Sequence, residues 1–158
     1  ELNEPIVVME DDIVISEGFK EAINVAEKHI NELRYLRLAG TYLKRHPYKK
    51  VKRLGSFDLN DHLIGPSGAL CYVLSPSAAK AFIEQADVWC LAVDDYMDHY
   101  WWHSVDCFSL MPFPITVGDN LSDIPRPKKV SLPLWKKIRK EMYSFMERLK
   151  RHWYRLNN

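Results

Sequence analysis

The sequence predicts an α/β body followed by a separate helix, and three observations predict it. Short apolar runs that read as strands alternate with segments whose apolar residues recur every three or four positions. Acidic residues cluster where two of these apolar runs end. The charge then changes sign along the chain: residues 126–158 hold 11 Lys or Arg against two acids, Glu141 and Glu147, for +9, whereas the rest holds 11 basic and 19 acidic residues, for −8. The expected boundaries are a body over residues 1–125 and a linker with a basic helix over 126–158.

The first element is the run Ile6-Val7-Val8-Met9 before Glu10-Asp11-Asp12, which reads as a buried parallel strand with a polar carboxyl end. Ile13-Val14-Ile15 continues extended, Ser16 can cap, and Phe19, Ile23, Ala26, Ile30 and Leu33 mark a helix. Residues 35–38 read as a short strand, and 44–53 as a basic solvated loop. Gly65-Pro66-Ser67-Gly68 leads into a strand over 69–74, after which Ser75 caps and Pro76 opens a helix with Ala79, Phe82, Ile83 and Ala86 as its buried stripe. A helix over 96–103 follows Asp94-Asp95, and residues 107–111 form a strand stopped by Pro112 and Pro114. Pro125, Pro127 and Pro133 punctuate the linker. Beyond them Trp135, Ile138, Met142, Phe145, Met146, Leu149, Trp153 and Leu156 step by three and four among lysines and arginines, as in an amphipathic basic helix.

Composition narrows the function classes. A chain of 158 residues, 47% hydrophobic and 12% aromatic, builds one packed domain and is not disordered overall. Apolar runs are too short for a membrane span of about 20 residues, and the N-terminus does not read as a leader. Cys71, Cys90 and Cys107 form no Cys-x-x-Cys pair, which argues against a disulfide or zinc framework and for a reducing cytoplasm. Gly-x-Ser-x-Gly, phosphate-loop and dinucleotide fingerprints are missing, so the simplest hydrolase, nucleotide hydrolase and dehydrogenase readings fall.

Glu10, Asp11 and Asp12 repel one another unless something neutralises them. A hard divalent cation, Mn²⁺ or Mg²⁺, does so with oxygen ligands while sharing other positions with nucleotide phosphates. A helix cap with a solvated acidic turn is the plainer alternative. Asp94 and Asp95 stand where a helix N-terminus stabilises carboxylates; one can orient a sugar hydroxyl while the other takes its proton, or both are ordinary first-turn acids. Tyr100, Trp101 and Trp102 offer faces for a sugar ring or for core packing. His99 and His103 lack the intervening acid of a zinc protease and read as a structural pair.

Taken in order, IVVMEDDIVI (6–15), GALCYVLSPSAAKAFI (68–83), Val93-Asp94-Asp95, Ser109 to Pro112 and NLSDI (120–124) resemble glycosyltransferase family 25, the lipooligosaccharide biosynthesis glycosyltransferases. The resemblance spans about the first 125 residues. It implies a GT-A-like, Rossmann-like mixed sheet flanked by helices, and metal-dependent, inverting transfer of galactose or glucose from a UDP-sugar to a lipooligosaccharide or other glycan. It implies that Asp12 and Glu10 hold the metal, that Glu10, Asp11 and Asp12 meet the nucleotide sugar, that Asp95 is the catalytic base, and that Asp94 orients the acceptor; Tyr72 and Trp102 are the candidate acceptor-binding residues. The expected location is cytoplasmic, peripheral on the inner face of a bacterial inner membrane.

Family members carry strand and helix units before the acidic triplet, and this chain starts one short strand ahead of it. The expectation is therefore a domain lacking its N-terminal part, with an open sheet edge through which copies could pair as a homo-oligomer. An inactive glycosyltransferase-like interaction module is the alternative function. The basic helix suits either an anionic bilayer or packing on the body, and nucleic acid is not an expected partner.

Overall fold

A computed structural model describes residues 3–40, 47–87, 91–118 and 133–157. The chain divides into two compact units, Glu1–Asn120 and Leu121–Asn158. The described part of the first is a mixed α/β body. Its strands are β1 (Ile6–Met9), β2 (Ile13–Ile15), β3 (Tyr35–Arg37), β4 (Tyr48–Leu54), β5 (Phe57–His62), β6 (Cys71–Leu74), β7 (Phe108–Met111) and β8 (Ile115–Val117). Its helices are α1 (Phe19–Leu33), α2 (Pro76–Glu84), α3 (Val93–Met97) and α4 (Tyr100–His103). Six strands form one sheet in the order β1-β6-β3-β7-β5-β4, while β2 and β8 form a separate antiparallel pair.

Strand β3 divides the core, because successive side chains point to opposite faces. Leu36 and Leu38 join Ala22, Ala26 and Ile30 of α1 in one buried cluster. Tyr35 faces the other way, into a cluster with Leu74, Ala78, Phe82, Tyr96 and Val105. Helix α1 is held by the expected apolar stripe, with Ala22 added to it. Its start differs from expectation: Gly18 is the N-cap, no side chain caps the helix, and the Phe19 N–H donates to the Ser16 carbonyl at 3.1 Å.

Helix α2 begins as its sequence predicts. The Ser75 hydroxyl accepts the Ala78 N–H at 3.2 Å, and Pro76 fills the first turn, where a missing N–H costs nothing. Its buried stripe is Ala78 and Phe82, whereas Ile83 is 74% exposed.

Other expectations are corrected. Strand β1 is neither buried nor parallel: it pairs antiparallel with β6, from Ile6 opposite Leu74 to Met9 opposite Cys71, and Ile6, Val7 and Met9 are exposed at the sheet edge. An apolar run reports that a strand forms and leaves its neighbours unspecified. The part of the basic segment that is described, from Tyr48 onward, is no loop but β4, which turns at Gly55 (φ +59) into β5. β5 escaped notice because two of its buried residues, Asn60 and His62, are polar. Residues 93–103 form two short helices rather than one over 96–103. Only β3 and β7 run parallel among the described pairs. Cys90, Pro125, Pro127 and the NLSDI motif lie outside the described residues.

The described part of the second unit is a single helix, α5 (Leu134–Asn157), 24 residues long. Among the described residues no helix is long and apolar enough to cross a membrane.

Candidate functional site

The acidic triplet is the three-residue link between the two sheets. Met9 ends β1 and Ile13 begins β2, so Glu10, Asp11 and Asp12 turn where the chain leaves one sheet for the other. The backbone is tied at both ends of the turn. Glu10 N–H donates to the Leu70 carbonyl at 2.9 Å, and the Asp12 carbonyl accepts the Gly118 N–H at 2.9 Å. A side chain at Gly118 would begin 3.0 Å from that same Asp12 oxygen, so glycine allows the close approach. The three carboxylates project into solvent, and among the described residues none of them has a hydrogen bond or ion pair with protein.

Asp94 and Asp95 occupy the first turn of α3. The two carboxylates are used differently. Asp94 Oδ2 accepts the Gly68 N–H at 3.0 Å, while Asp95 is exposed and only its carbonyl contacts His99 Nδ1. One passage of chain therefore joins the two acidic groups, because Gly68 binds the Asp94 carboxylate and Leu70, two residues on, binds the Glu10 backbone. Ser67 and Gly68 make the turn with φ of 49° and 78°, backbone that glycine adopts without penalty and serine does not.

Beneath this turn lies an ion pair that sequence reading missed. Arg37 is fully buried, and its Nη2 donates to Asp98 Oδ1 at 2.7 Å. Burial pushes the Asp98 carboxyl above its ordinary range, while Arg37 and the Ser67 N–H pull it back. The 65–68 turn presses on the same carboxylate, since a side chain at Gly65 would begin 1.9 Å from Asp98 Cγ. Asp94 and Asp98, one helical turn apart, thus grip the turn from α3 and the residue after it. The Arg37 Nε and Nη1 atoms and the Tyr35 hydroxyl are buried without hydrogen-bond partners among the described residues. Two signals could have found the pair: a lone arginine inside the apolar run Tyr35-Leu36-Arg37-Leu38, and an acid four residues after Asp94. A second buried polar contact joins His62 Nε2 to Ser109 Oγ at 2.7 Å.

The aromatic candidates divide. Tyr72 is half-buried on β6, packs edge-on against Tyr35 at 5.9 Å, and lies within electrostatic range of Glu10 and Arg37. With Phe82, Ile83, Val93 and Tyr96 it lines an apolar groove of about 190 Å³ beside the start of α3. Trp102 packs edge-on against Tyr96, with ring centroids 6.4 Å apart, as a wall of the second core cluster. His99 and His103 both engage the backbone, His99 through its Nδ1 at the Asp95 carbonyl. His103 is buried, its Nε2 meets the Tyr96 carbonyl, and its Nδ1 accepts the Val105 N–H; burial lowers its pKa to about 4, against the Tyr96 carbonyl, which pulls it back up.

No group of three or more His, Cys, Asp or Glu side chains converges to hold a metal among the described residues. The triplet's chemistry nonetheless fits a cation shared with a ligand. Mg²⁺-type sites commonly take one or two carboxylates and complete their shell with phosphate and water, and the exposed, unpartnered carboxylates of Glu10 and Asp12 provide that much. Cys71 and Cys107 are buried free thiols, and burial pushes Cys71 up to about 11, which leaves it protonated and unreactive.

Among curated proteins, none matches this chain closely enough to serve as a relative. A family model does match, over residues 1–97, and it is described as glycosyltransferase family 25 (LPS biosynthesis protein). That stretch takes in the acidic triplet, the 65–68 turn and both first-turn carboxylates of α3, and it is more than half of the chain. The chain therefore belongs to glycosyltransferase family 25, whose members are sugar transferases of lipopolysaccharide biosynthesis.

Proposed function

We propose that this chain is a GT-A-type, metal-dependent inverting hexosyltransferase, which moves galactose or glucose from a UDP-sugar to a lipooligosaccharide or similar glycan. The observation that carries the reading is the 68–70 passage, which bonds the Glu10 backbone of the acidic triplet on one side and the Asp94 carboxylate, next to Asp95 at the start of α3, on the other. Donor and acceptor groups must meet within a few ångströms in a direct displacement, and a shared backbone anchor is how this fold can bring them together.

In this reading Glu10 and Asp12 hold Mn²⁺ or Mg²⁺, and Asp11 faces the nucleotide ribose. The cation, when bound, offsets the charge that builds on the departing diphosphate. Asp95, whose carboxylate has no protein partner among the described residues, takes the proton of the acceptor hydroxyl as that oxygen bonds to the anomeric carbon. The bond from that carbon to the diphosphate oxygen breaks in the same step, its electron pair leaving with UDP, so configuration inverts. Asp94 is held by Gly68 and orients the acceptor side through the turn it fixes. Tyr72 and the groove beside Val93 offer an apolar face to a sugar ring or aglycone, with Trp102 as their backing.

The open β1 edge favours a second reading, a non-catalytic family member that serves as an interaction module. Isothermal titration of UDP with and without Mn²⁺ separates the two. The transferase reading expects metal-dependent binding that Asp12→Ala abolishes, and an Asp95→Asn variant that binds UDP normally yet transfers no sugar. UDP binding that ignores both metal and Asp12→Ala, or no binding at all, would leave only the module.

A further inference from the structure

Helix α5 has an unusual division of its surface. At 3.6 residues per turn its nine large apolar residues, Leu134, Trp135, Ile138, Met142, Phe145, Met146, Leu149, Trp153 and Leu156, fall in one continuous arc of about 120°. Every one of them is more than half exposed, from 52% at Leu149 to 74% at Leu134. The residues with the least exposure, Glu147 among them at 8%, lie on the other side of the wheel. α5 is the only described element of its unit, and among the described residues of that unit none covers the arc.

The remaining circumference is cationic. Eight Lys or Arg stand on the helix against Glu141 and Glu147. Arg139 and Lys150, the latter paired to Glu147 at 3.0 Å, border one side of the arc; on the other Glu141 stands next to it with Arg148 and Lys137 just beyond, so cations lie near both margins of the apolar stripe. Trp135 and Trp153 sit five turns apart at the same angular position, near the two ends of the helix. A helix that packs on a protein core turns its apolar stripe inward and its polar face to water. Cations near both margins, with tryptophan at both ends, match a surface that is apolar inside and anionic at its rim. Long lysine and arginine stems can lie along that boundary while their charged ends reach the phosphates.

We infer that α5 lies in the plane of an anionic lipid bilayer, its Leu134-to-Leu156 arc sunk among the acyl chains and its lysines and arginines on the headgroup phosphates. The helix is too charged to span the membrane, so it rests on one leaflet. The inference stands on α5 alone and does not depend on the donor site being competent.

Cosedimentation of the full chain with phosphatidylcholine vesicles, and with vesicles of phosphatidylcholine and phosphatidylglycerol in equal parts, tests it. Binding should be at least about tenfold tighter to the anionic vesicles and should weaken as salt is raised. Tryptophan emission should shift to the blue on binding, and less so in a Trp135→Phe/Trp153→Phe chain. A Leu149→Glu/Trp153→Glu chain should lose vesicle binding while its melting temperature is unchanged. Equal binding to both vesicles, or none, overturns the inference. So does a marked fall in the melting temperature of the double-Glu chain, which would show that the arc is buried in protein. A lipid-free dimer dissolved by the same substitutions, with no vesicle binding, would assign the arc to a second copy instead.

Discussion

The Arg37–Asp98 pair shows how much one buried charge can organise. A guanidinium with no exposed surface is costly to desolvate, and its ion pair is compensated only while both partners remain. Replacing Arg37 with Met, which keeps most of the volume, strands the Asp98 carboxylate and should destabilise the body by about 3–5 kcal/mol at neutral pH. The sign with pH follows from Asp98. Its folded-state pKa is already raised by burial, and loss of Arg37 raises it further, so the variant takes up a proton on folding over a wider range. Its deficit against the parent should therefore shrink as pH falls toward the ordinary aspartate range, below which Asp98 is neutral in both folded and unfolded states. Urea unfolding of both proteins at neutral and mildly acidic pH measures this; a deficit independent of pH would mean that Arg37 matters for its packing rather than its charge. At this scale the sequence was informative about carboxylates and silent about their partners. Glu10, Asp11, Asp12, Asp94 and Asp95 stand in visible clusters, whereas Arg37 and Asp98 become a pair only when β3 and the end of α3 meet.

Elements whose signals are local were legible. Ser75-Pro76 fixes the start of α2 within two residues, and the apolar stripe of α1 needs only its own periodicity. Removing the cap tests the first of these: Ser75→Ala takes the hydroxyl acceptor from the Ala78 N–H, leaving it the Ser75 carbonyl at 3.1 Å, and should cost about 1 kcal/mol, read as a lower urea midpoint with an unchanged slope. No change would mean that the helix start is held by Arg34, whose guanidinium already bonds the Ser77 carbonyl at 3.1 Å and the Ser104 carbonyl at 2.9 Å. Elements whose signals are non-local were misread. The β4–β5 hairpin looked like a basic loop because β4 is exposed almost throughout, and because β5 buries Asn60 and His62 beside Phe57 and Leu59. A strand that hides polar groups is stabilised by partners far along the chain, here Ser109 for His62, and no alternation in the sequence announces them. The triplet's place at the end of a strand was legible for the opposite reason, since an apolar run that stops abruptly at three acids is local.

At the scale of the molecule the sheet has two unlike edges. β4 carries Lys49, Lys50, Lys52 and Arg53 along its length, with Lys50 and Arg53 paired to Asp58 at 2.8 and 2.9 Å. Cations on an edge strand repel a second copy that would otherwise add to the sheet. β1 has no such protection: its four residues are all apolar, Ile6, Val7 and Met9 are exposed, and no described strand pairs with its outer side. A cleft of about 460 Å³ between β1 and α1 has an apolar floor of Val7, Ile23, Ala26 and Ile30 and carries Glu4 and Glu27 in its lining. The physical expectation is that the chain self-associates through β1, two copies continuing one sheet, and that the charge asymmetry between the edges makes the association orderly rather than open-ended. Val7→Lys should give β1 the protection that β4 already has. In sedimentation velocity the parent should form a dimer as concentration rises, while the Val7→Lys chain stays monomeric with an unchanged melting temperature. A dimer that survives Val7→Lys yet dissolves when Leu149 and Trp153 are replaced by Glu would move the contact to α5 and leave β1 an edge protected only by its shortness.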